Sequence, residues 1–265
     1  MVEISESFLK KWRENYCWPF DATRKQSEEK IFALEKAVTE NIVVQQGNRT
    51  VKQVLSDIVD WKTSGRQVER FDENGHNRIK AVVDHVLETI DNRPDDVSEC
   101  IKALVFENDL QGVRIPVASA ILRFLDPVNH RYGIIDRNIA RFLDIEGTTR
   151  FEYENNGLAK SYHNVDEYQK FHLWLRQKTI ELRNSTFTSI YDAQIKWAPV
   201  DVEMALFAYC TRSHVKPTEN IDSGAKTGRC PKCGSPLTWH MASLTGEHYR
   251  GCTNYPNCNY NERSY

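Results

Sequence analysis

Apolar side chains recur at helical spacing through most of the first 210 residues. Val51, Val54, Leu55, Ile58 and Val59 fall at positions i, i+3, i+4, i+7 and i+8. Ile79, Val82, Val83, Val86, Leu87 and Ile90 repeat the pattern, as do Val117, Ala120, Ile121, Phe124 and Leu125, with Val97, Ile101, Leu104 and Val105 following it in part. A helix turning 100° per residue gathers such positions into one stripe that must be buried. Further helices are predicted over 28–39, 137–144, 166–183 and 201–210, the last (DVEMALFAYC) as a buried closing helix. Strand-like alternation is scarce and no internal repeat is present. The pattern predicts a mostly α body over residues 1–212.

Periodicity stops after Cys210. Residues 213–228, SHVKPTENIDSGAKTG, hold several turn formers and read as a linker. Residues 229–265 then form a small module with two cysteine pairs, Cys230-x2-Cys233 and Cys252-x5-Cys258. Four soft ligands from two knuckles suit tetrahedral zinc, and Gly234 suits the tight turn of the first knuckle. So short a segment cannot bury a self-sufficient core, so one structural Zn2+ is expected to supply much of its folding energy. Two disulfides or four unrelated thiols are the competing readings, and an intracellular setting disfavours both. His240 and His248 are alternative ligands, but the four cysteines already complete the shell. The segment resembles the C-terminal four-cysteine zinc domains of bacterial type I topoisomerases. The matching residues are Cys230-Pro231, Cys233-Gly234, Leu237, Gly246, Tyr249, Gly251-Cys252, Asn254, Tyr255-Pro256, Cys258 and Tyr260. That resemblance implies DNA binding, largely single-stranded. Trp239, Tyr249, Tyr255 and Tyr260 would be stacking faces, with Lys232 and Arg250 for phosphates; the competing reading is a mini-core around the metal, expected for at least two of the four aromatics.

Within the helical body, residues 97–125 read as two helices joined by Leu110-Gln111-Gly112-Val113-Arg114, with Pro116 in the first turn of the second. Gly112 permits a positive φ, and the free amides of such a hairpin form a phosphate seat. Downstream, YGIIDRNIARFL places Asp136 between an apolar pair, Ile134-Ile135, and an amphipathic helix. Asp136 reads as an N-cap by itself. Taken with Leu110, Gly112, Val113, Ala118, Ile121 and Leu122, it resembles the helix-hairpin-helix superfamily of DNA base-excision glycosylases. The resemblance covers about residues 97–145. It implies a two-lobed helical fold, Asp136 as the catalytic carboxylate, and DNA contacts by Gly112, Val113, Arg114 and Arg137. Arg114 stands where the family usually has a second glycine. Pro116 stands where bifunctional members carry a lysine, so a monofunctional enzyme leaving an abasic site is expected. No cysteine group suited to an iron–sulfur cluster occurs outside the module.

A carboxylate under the sugar stabilises the positive charge that builds as a base departs, and can position the attacking water. At roughly 4 Å and an effective dielectric near 20 such a pair interacts by roughly 4 kcal/mol, of which only the part gained in the transition state counts. Arg114, Arg123, Arg131, Arg137 and Arg141 against Asp126 and Asp136 suggest a DNA backbone-contacting face; the competing reading is a solvated helix face, expected at Arg123. His130 reads as a surface loop histidine. Trp18, Trp61, Phe106 and Tyr132 are candidate base-pocket aromatics, each also readable as core.

Composition changes this picture little. Hydrophobic residues make up 40% and charged residues 27%, with a net charge of −2, so any DNA contact must be a local patch. Lys226, Arg229, Lys232, Arg250 and Arg263 against Asp222, Glu247 and Glu262 make the C-terminal part basic. The start, MVEISESFLKKW, lacks the apolar core of a secretory signal, and no run is long enough for a membrane span. Cys17, Cys100 and Cys210 are scattered, as in proteins of a reducing compartment. The expected setting is cytoplasmic, nucleoid-associated if bacterial. The expected partner is DNA, as duplex with a flipped base in the body and as single strand in the module. The expected activity is excision of a damaged, mispaired or modified base. This includes hypermodified phage bases, hence roles in DNA repair or antiviral defence. The rivals are a non-catalytic DNA-binding protein and a helical scaffold with structural zinc.

Overall fold

The computed structural model describes residues 2–19, 21–155, 157–212, 230–235, 237–241, 248–252, 254, 258 and 260–263. The chain divides into two compact units, residues 1–214 and 215–265. The 213–228 segment read as a linker lies outside the described residues.

The first unit is helical. Its helices are α1 (Glu6–Glu14), α2 (Arg24–Val38), α3 (Val51–Thr63), α4 (Val68–Asp72), α5 (His76–Asn92), α6 (Val97–Lys102), α7 (Ile115–Phe124), α8 (Arg137–Ile145), α9 (Tyr162–Glu181) and α10 (Pro199–Arg212). Helix α2 runs into a π-helical turn, Thr39–Val43, and α6 into another, Ala103–Glu107. Two hairpins were not anticipated: β1 (Tyr153–Glu154) with β2 (Gly157–Leu158), and β3 (Thr186–Thr188) with β4 (Gln194–Lys196). Strands of two or three residues are too short to show alternation.

Local signals set the helix starts. Thr50 and Gln53 form a reciprocal capping box at α3, and Ser64 closes that helix in the left-handed region at φ 51°. Helix α7 has Pro116 in its first turn, and its residues Ile115 and Val117 to Phe124 are all buried. A helix that is apolar all round lies inside the core, and α2, α3 and α6 pack around this one. Helix α10 packs against α1, α8 and α9. Buried charge is paired. Arg13 donates to Glu28 and, at 2.9 Å, to Asp201, and Arg24 donates to Glu28 at 2.7 Å. Among the described residues no helix is long and apolar enough to cross a membrane.

The second unit holds a three-stranded antiparallel sheet in the order β5 (Leu237–Met241), β6 (His248–Cys252), β7 (Asn261–Arg263).

Candidate functional site

The hairpin between the π-helical turn and α7 is built from the inside outward. Leu110 and Val113 are buried, and the Val113 amide donates to Leu110 O at 3.1 Å. Buried Asn74 clamps the loop by accepting from the Gln111 amide (2.9 Å) and donating to Gln111 O (3.0 Å). Gly112 sits at φ +75°, and a Cβ there would come within 3.0 Å of Gln67 O and Phe71 N. Glycine is therefore required twice, by conformation and by close approach. The structure thus consumes the Val113 amide and buries its side chain. The amides of Gly112 and Arg114 have no partner among the described residues. The Arg114 side chain is exposed, 4.0 Å from Glu154 Oε2.

The segment leading into Asp136 is pinned by hydrogen bonds at Tyr132, Gly133, Ile135 and Asp136. Tyr132 Oη donates to Pro94 O (2.9 Å) and Gly133 O accepts from Tyr168 Oη (2.9 Å). The Ile135 amide donates to Ser119 Oγ on α7 at 3.1 Å. Asp136 is the N-cap of α8, its Oδ1 accepting from Asn138 N (2.8 Å) and Ile139 N (2.9 Å). Its other oxygen, Oδ2, has no hydrogen bond among the described residues, and the residue is half-buried. Asp136 is thus both a cap and a carboxylate held in one orientation with an oxygen to spare.

Groups that sequence reasoning missed converge here. Lys62, from α3, interacts electrostatically with Asp136 and with Glu203 of α10. Glu203 is 4% exposed, and burial pushes its carboxyl up to about 8. The Lys62 and Arg123 cations and the Ile134 amide oppose that rise, while Asp136 adds to it. Burial lowers the Lys62 ammonium against the pull of both carboxylates. Buried Cys210 is raised by burial first, then by the same two acids. A Cβ on Gly133 would lie 3.0 Å from Glu203 Cβ, so this glycine lets α10 close on the Asp136 segment. The missed signal was an acid inside the apolar stretch DVEMALFAYC, which must find a partner or a proton.

Of the four candidate pocket aromatics, two come together beside this cluster. Trp18 stacks on Trp61 at 4.6 Å and on Phe207 at 5.0 Å, and Lys62 Nζ lies 5.5 Å from the Trp18 ring. The Trp61 indole Nε1 is buried without a hydrogen-bond partner. Phe106 instead stacks on Tyr162 (4.3 Å), and Tyr132 is core. The arginine face is smaller than expected. Arg123 is not on a solvated face: it is 3% exposed and donates to Glu35 at 2.7 Å, because α7 is buried on every side. Arg131 is held by Asp126 through bonds of 2.9 and 3.0 Å. Arg114 and Arg141 are exposed and Arg137 is half-buried. His130, left-handed at φ 53°, lies 3.3 Å from Glu35 Oε1 and is partly enclosed.

In the second unit, Gly234 at φ +73° turns the first knuckle, its amide donating to Cys230 O at 2.8 Å. The thiols of Cys230, Cys233, Cys252 and Cys258 all lie within 4.8 Å of one another. Cys230 and Cys258 sulfurs are 3.6 Å apart and Cys233 and Cys252 sulfurs 3.3 Å, well beyond a disulfide bond of about 2.05 Å. Four thiolates about 2.3 Å from a tetrahedral zinc would stand nearly that far apart. Residues 227–264 match the family described as topoisomerase DNA binding C4 zinc finger. Over 35 residues the chain is 49% identical to DNA topoisomerase 1 of Mycoplasma pneumoniae, a match spanning 13% of this chain and 5% of that protein. No solved structure matches the chain. The module is a C4 zinc finger of the DNA-binding kind, and its four cysteines hold one structural zinc ion. The backbone register pairs Trp239 with Arg250 and His240 with Tyr249. The side chains of Trp239, Tyr249 and Arg250, and the whole of Tyr255, lie outside the described residues.

Proposed function

We propose that this chain is a monofunctional DNA glycosylase with a DNA-holding zinc finger. It hydrolyses the N-glycosidic bond of a damaged, mispaired or modified base, hypermodified phage bases included, and leaves an abasic site. The observation that carries this reading is Asp136. Its carboxylate keeps one oxygen unused on a segment pinned at four residues and tied through Ser119 to the second helix of the hairpin.

In this two-lobed, glycosylase-like reading, the Gly112 and Arg114 amides, with the Arg114 and Arg137 side chains, hold DNA phosphates while the target nucleotide leaves the stack. Asp136 stabilises the oxocarbenium-like sugar and orients the water that adds to it. The zinc finger holds nearby single-stranded DNA through Trp239, Tyr249, Tyr255 and Arg250, and tethering raises the effective concentration of the body. Either repair or defence against invading DNA fits such chemistry.

The test is a panel of duplexes bearing different lesions and modified cytosines, incubated with wild type and Asp136→Asn and then treated with alkali. Abasic sites from the wild type, lost in Asp136→Asn while binding persists, are expected. Base release by Asp136→Asn at the wild-type rate would sink the assignment. Strand scission without alkali, trapped on Lys62 by borohydride, would replace the monofunctional part. A second reading, a non-catalytic DNA-binding protein, draws on the two amides that Asp136 caps. Binding that collapses with salt, with no base released from any duplex, would favour it.

A further inference from the structure

Three metal-ligating side chains that the glycosylase reading leaves unused meet on the helical body. His85 stands on α5, Glu99 on α6 and Glu107 at the end of the π-helical turn that continues α6. Helix α5 packs against both α6 and that turn. One ligand atom from each residue lies within 4.8 Å of the other two, and His85 Nε2 is 3.4 Å from Glu99 Oε1. His85 and Glu99 are half-buried and Glu107 is exposed, so the set opens to solvent. Among the described residues neither glutamate pairs with a lysine or arginine. Two carboxylates this close repel each other and attract a cation. The π-helical turn is what brings Glu107 into the set. Glu107 follows Glu99 by eight positions, which in a regular α-helix would leave it about 80° round the axis. A π turn takes in one extra residue, so Glu107 stands where a seventh would, about 20° from Glu99. Asn108 Nδ2 donates to Ala103 O at 3.0 Å and holds that turn. Turns of this kind recur at functional sites.

We propose that His85, Glu99 and Glu107 bind one divalent cation of the Mn2+ type, with water in the remaining positions. One imidazole nitrogen and two carboxylate oxygens make a mostly hard donor set, unlike the four soft thiolates of the zinc finger. Three protein ligands leave open positions on the ion, and the solvent-facing side of the set supplies the water to fill them. Octahedral ligands about 2.1 Å from an ion stand about 3.0 Å apart when adjacent and about 4.2 Å apart when opposite. The 3.4 Å between His85 and Glu99 is already near the adjacent value, and rotation of the exposed Glu107 side chain closes the rest. The ion ties α5 to the turn that ends just ahead of Leu110, where the hairpin begins. Its binding does not depend on the glycosylase reading.

The test titrates Mn2+ into the full-length chain, its zinc finger already loaded with zinc, and follows binding by calorimetry and by loss of the free-ion paramagnetic resonance signal. Wild type should bind one Mn2+ per chain. His85→Ala and Glu107→Gln should each weaken binding by about tenfold or more. Asp84→Asn should bind as wild type does, because Asp84, although next to His85 in the chain, pairs with Lys80 at 2.6 Å and lies outside the set. Mn2+ also broadens the NMR signals of nearby nuclei, and in wild type that broadening should centre on residues 85, 99 and 107. No Mn2+ bound by wild type at millimolar concentration would overturn the proposal. So would equal affinity in wild type, His85→Ala and Glu107→Gln. Broadening centred elsewhere would overturn it even if neither variant folded. Base excision plays no part in these readouts, so a failure here is distinct from a failure of the glycosylase reading.

Discussion

The amide of Ile135 donates to Ser119 Oγ at 3.1 Å, which joins the residue before Asp136 to the middle of α7. Ser119 is fully buried, and its hydroxyl also donates to Pro116 O at 3.0 Å. One side chain thus fixes the Asp136 segment relative to the hairpin that starts α7. Ser119→Ala leaves a buried amide unpaired and should cost about 1–3 kcal/mol in urea unfolding. Excision should fall further than stability explains, because the carboxylate loses its register. An activity loss matching only the unfolded fraction would count against that link.

Glu203 should carry a stability cost that grows with pH. Its folded value is about 8 against an ordinary 4.5, so between those values the folded chain holds a proton that the unfolded chain has released. Stability therefore falls as pH rises from 4.5 to 8, and the full penalty, of order a few kcal/mol, is present above 8. Glu203→Gln should make the body more stable than wild type at pH 9 and nearly equal to it at pH 4. Paired urea titrations at the two pH values check this. A Glu203→Gln body less stable than wild type at pH 9 would refute the assignment of the buried proton.

Short-range features were legible in the chain and long-range pairings were not. Asp136 as an N-cap, Gly112 at positive φ and the four-thiol cluster each depend on neighbours within a few residues or on a fixed spacing. Arg123 looked like a solvated residue because its partner, Glu35, lies 88 positions away. The same applies to the electrostatic interaction of Glu203 with Lys62, which lie on helices far apart in the chain. Helix α1 was missed although Phe8, Leu9 and Trp12 share one side, because its nine residues leave room for a single repeat of the pattern. The two π-helical turns leave no mark in an apolar pattern read at a period of 3.6.

His172 provides a pH response of the opposite sense. Burial holds its imidazole down at about 4, and both ring nitrogens lie buried without hydrogen-bond partners beside Tyr132. The unfolded chain binds the proton from about 6.5 downward while the folded chain resists it to 4. Stability should therefore drop by up to about 3 kcal/mol as pH falls through that window. His172→Phe should flatten the slope of melting temperature between pH 7 and 4. An unchanged slope would show that His172 is not the responsible group.

Zinc removal should act on the second unit alone. Its buried cysteines form its only apolar cluster among the described residues, with Tyr260 against them, so the metal stands in for a core. A strong chelator, or Cys233→Ser, should release one zinc per chain in a colorimetric assay and weaken binding to single-stranded DNA. The helical melting transition should stay within about 1 °C, since that unit has its own core. Loss of the helical transition on chelation would mean that the two units are not independent.

Arg114 and Gly112 divide the work of the hairpin between charge and backbone shape. Arg114 is exposed, with its nearest acid 4.0 Å away at Glu154, so Arg114→Ala should leave stability unchanged. If it meets a phosphate, the slope of log affinity against log salt should shrink by about one. Gly112→Ala should behave differently. A Cβ at φ +75°, 3.0 Å from Gln67 O and Phe71 N, must displace backbone, at a cost of about 1–3 kcal/mol. If the Gly112 and Arg114 amides seat a phosphate, that displacement turns them off it, and affinity should fall on every duplex sequence alike. Were Gly112→Ala to bind duplex DNA as tightly as wild type, with an equal salt slope, the loop would be a structural turn and the phosphate seat would have to lie elsewhere.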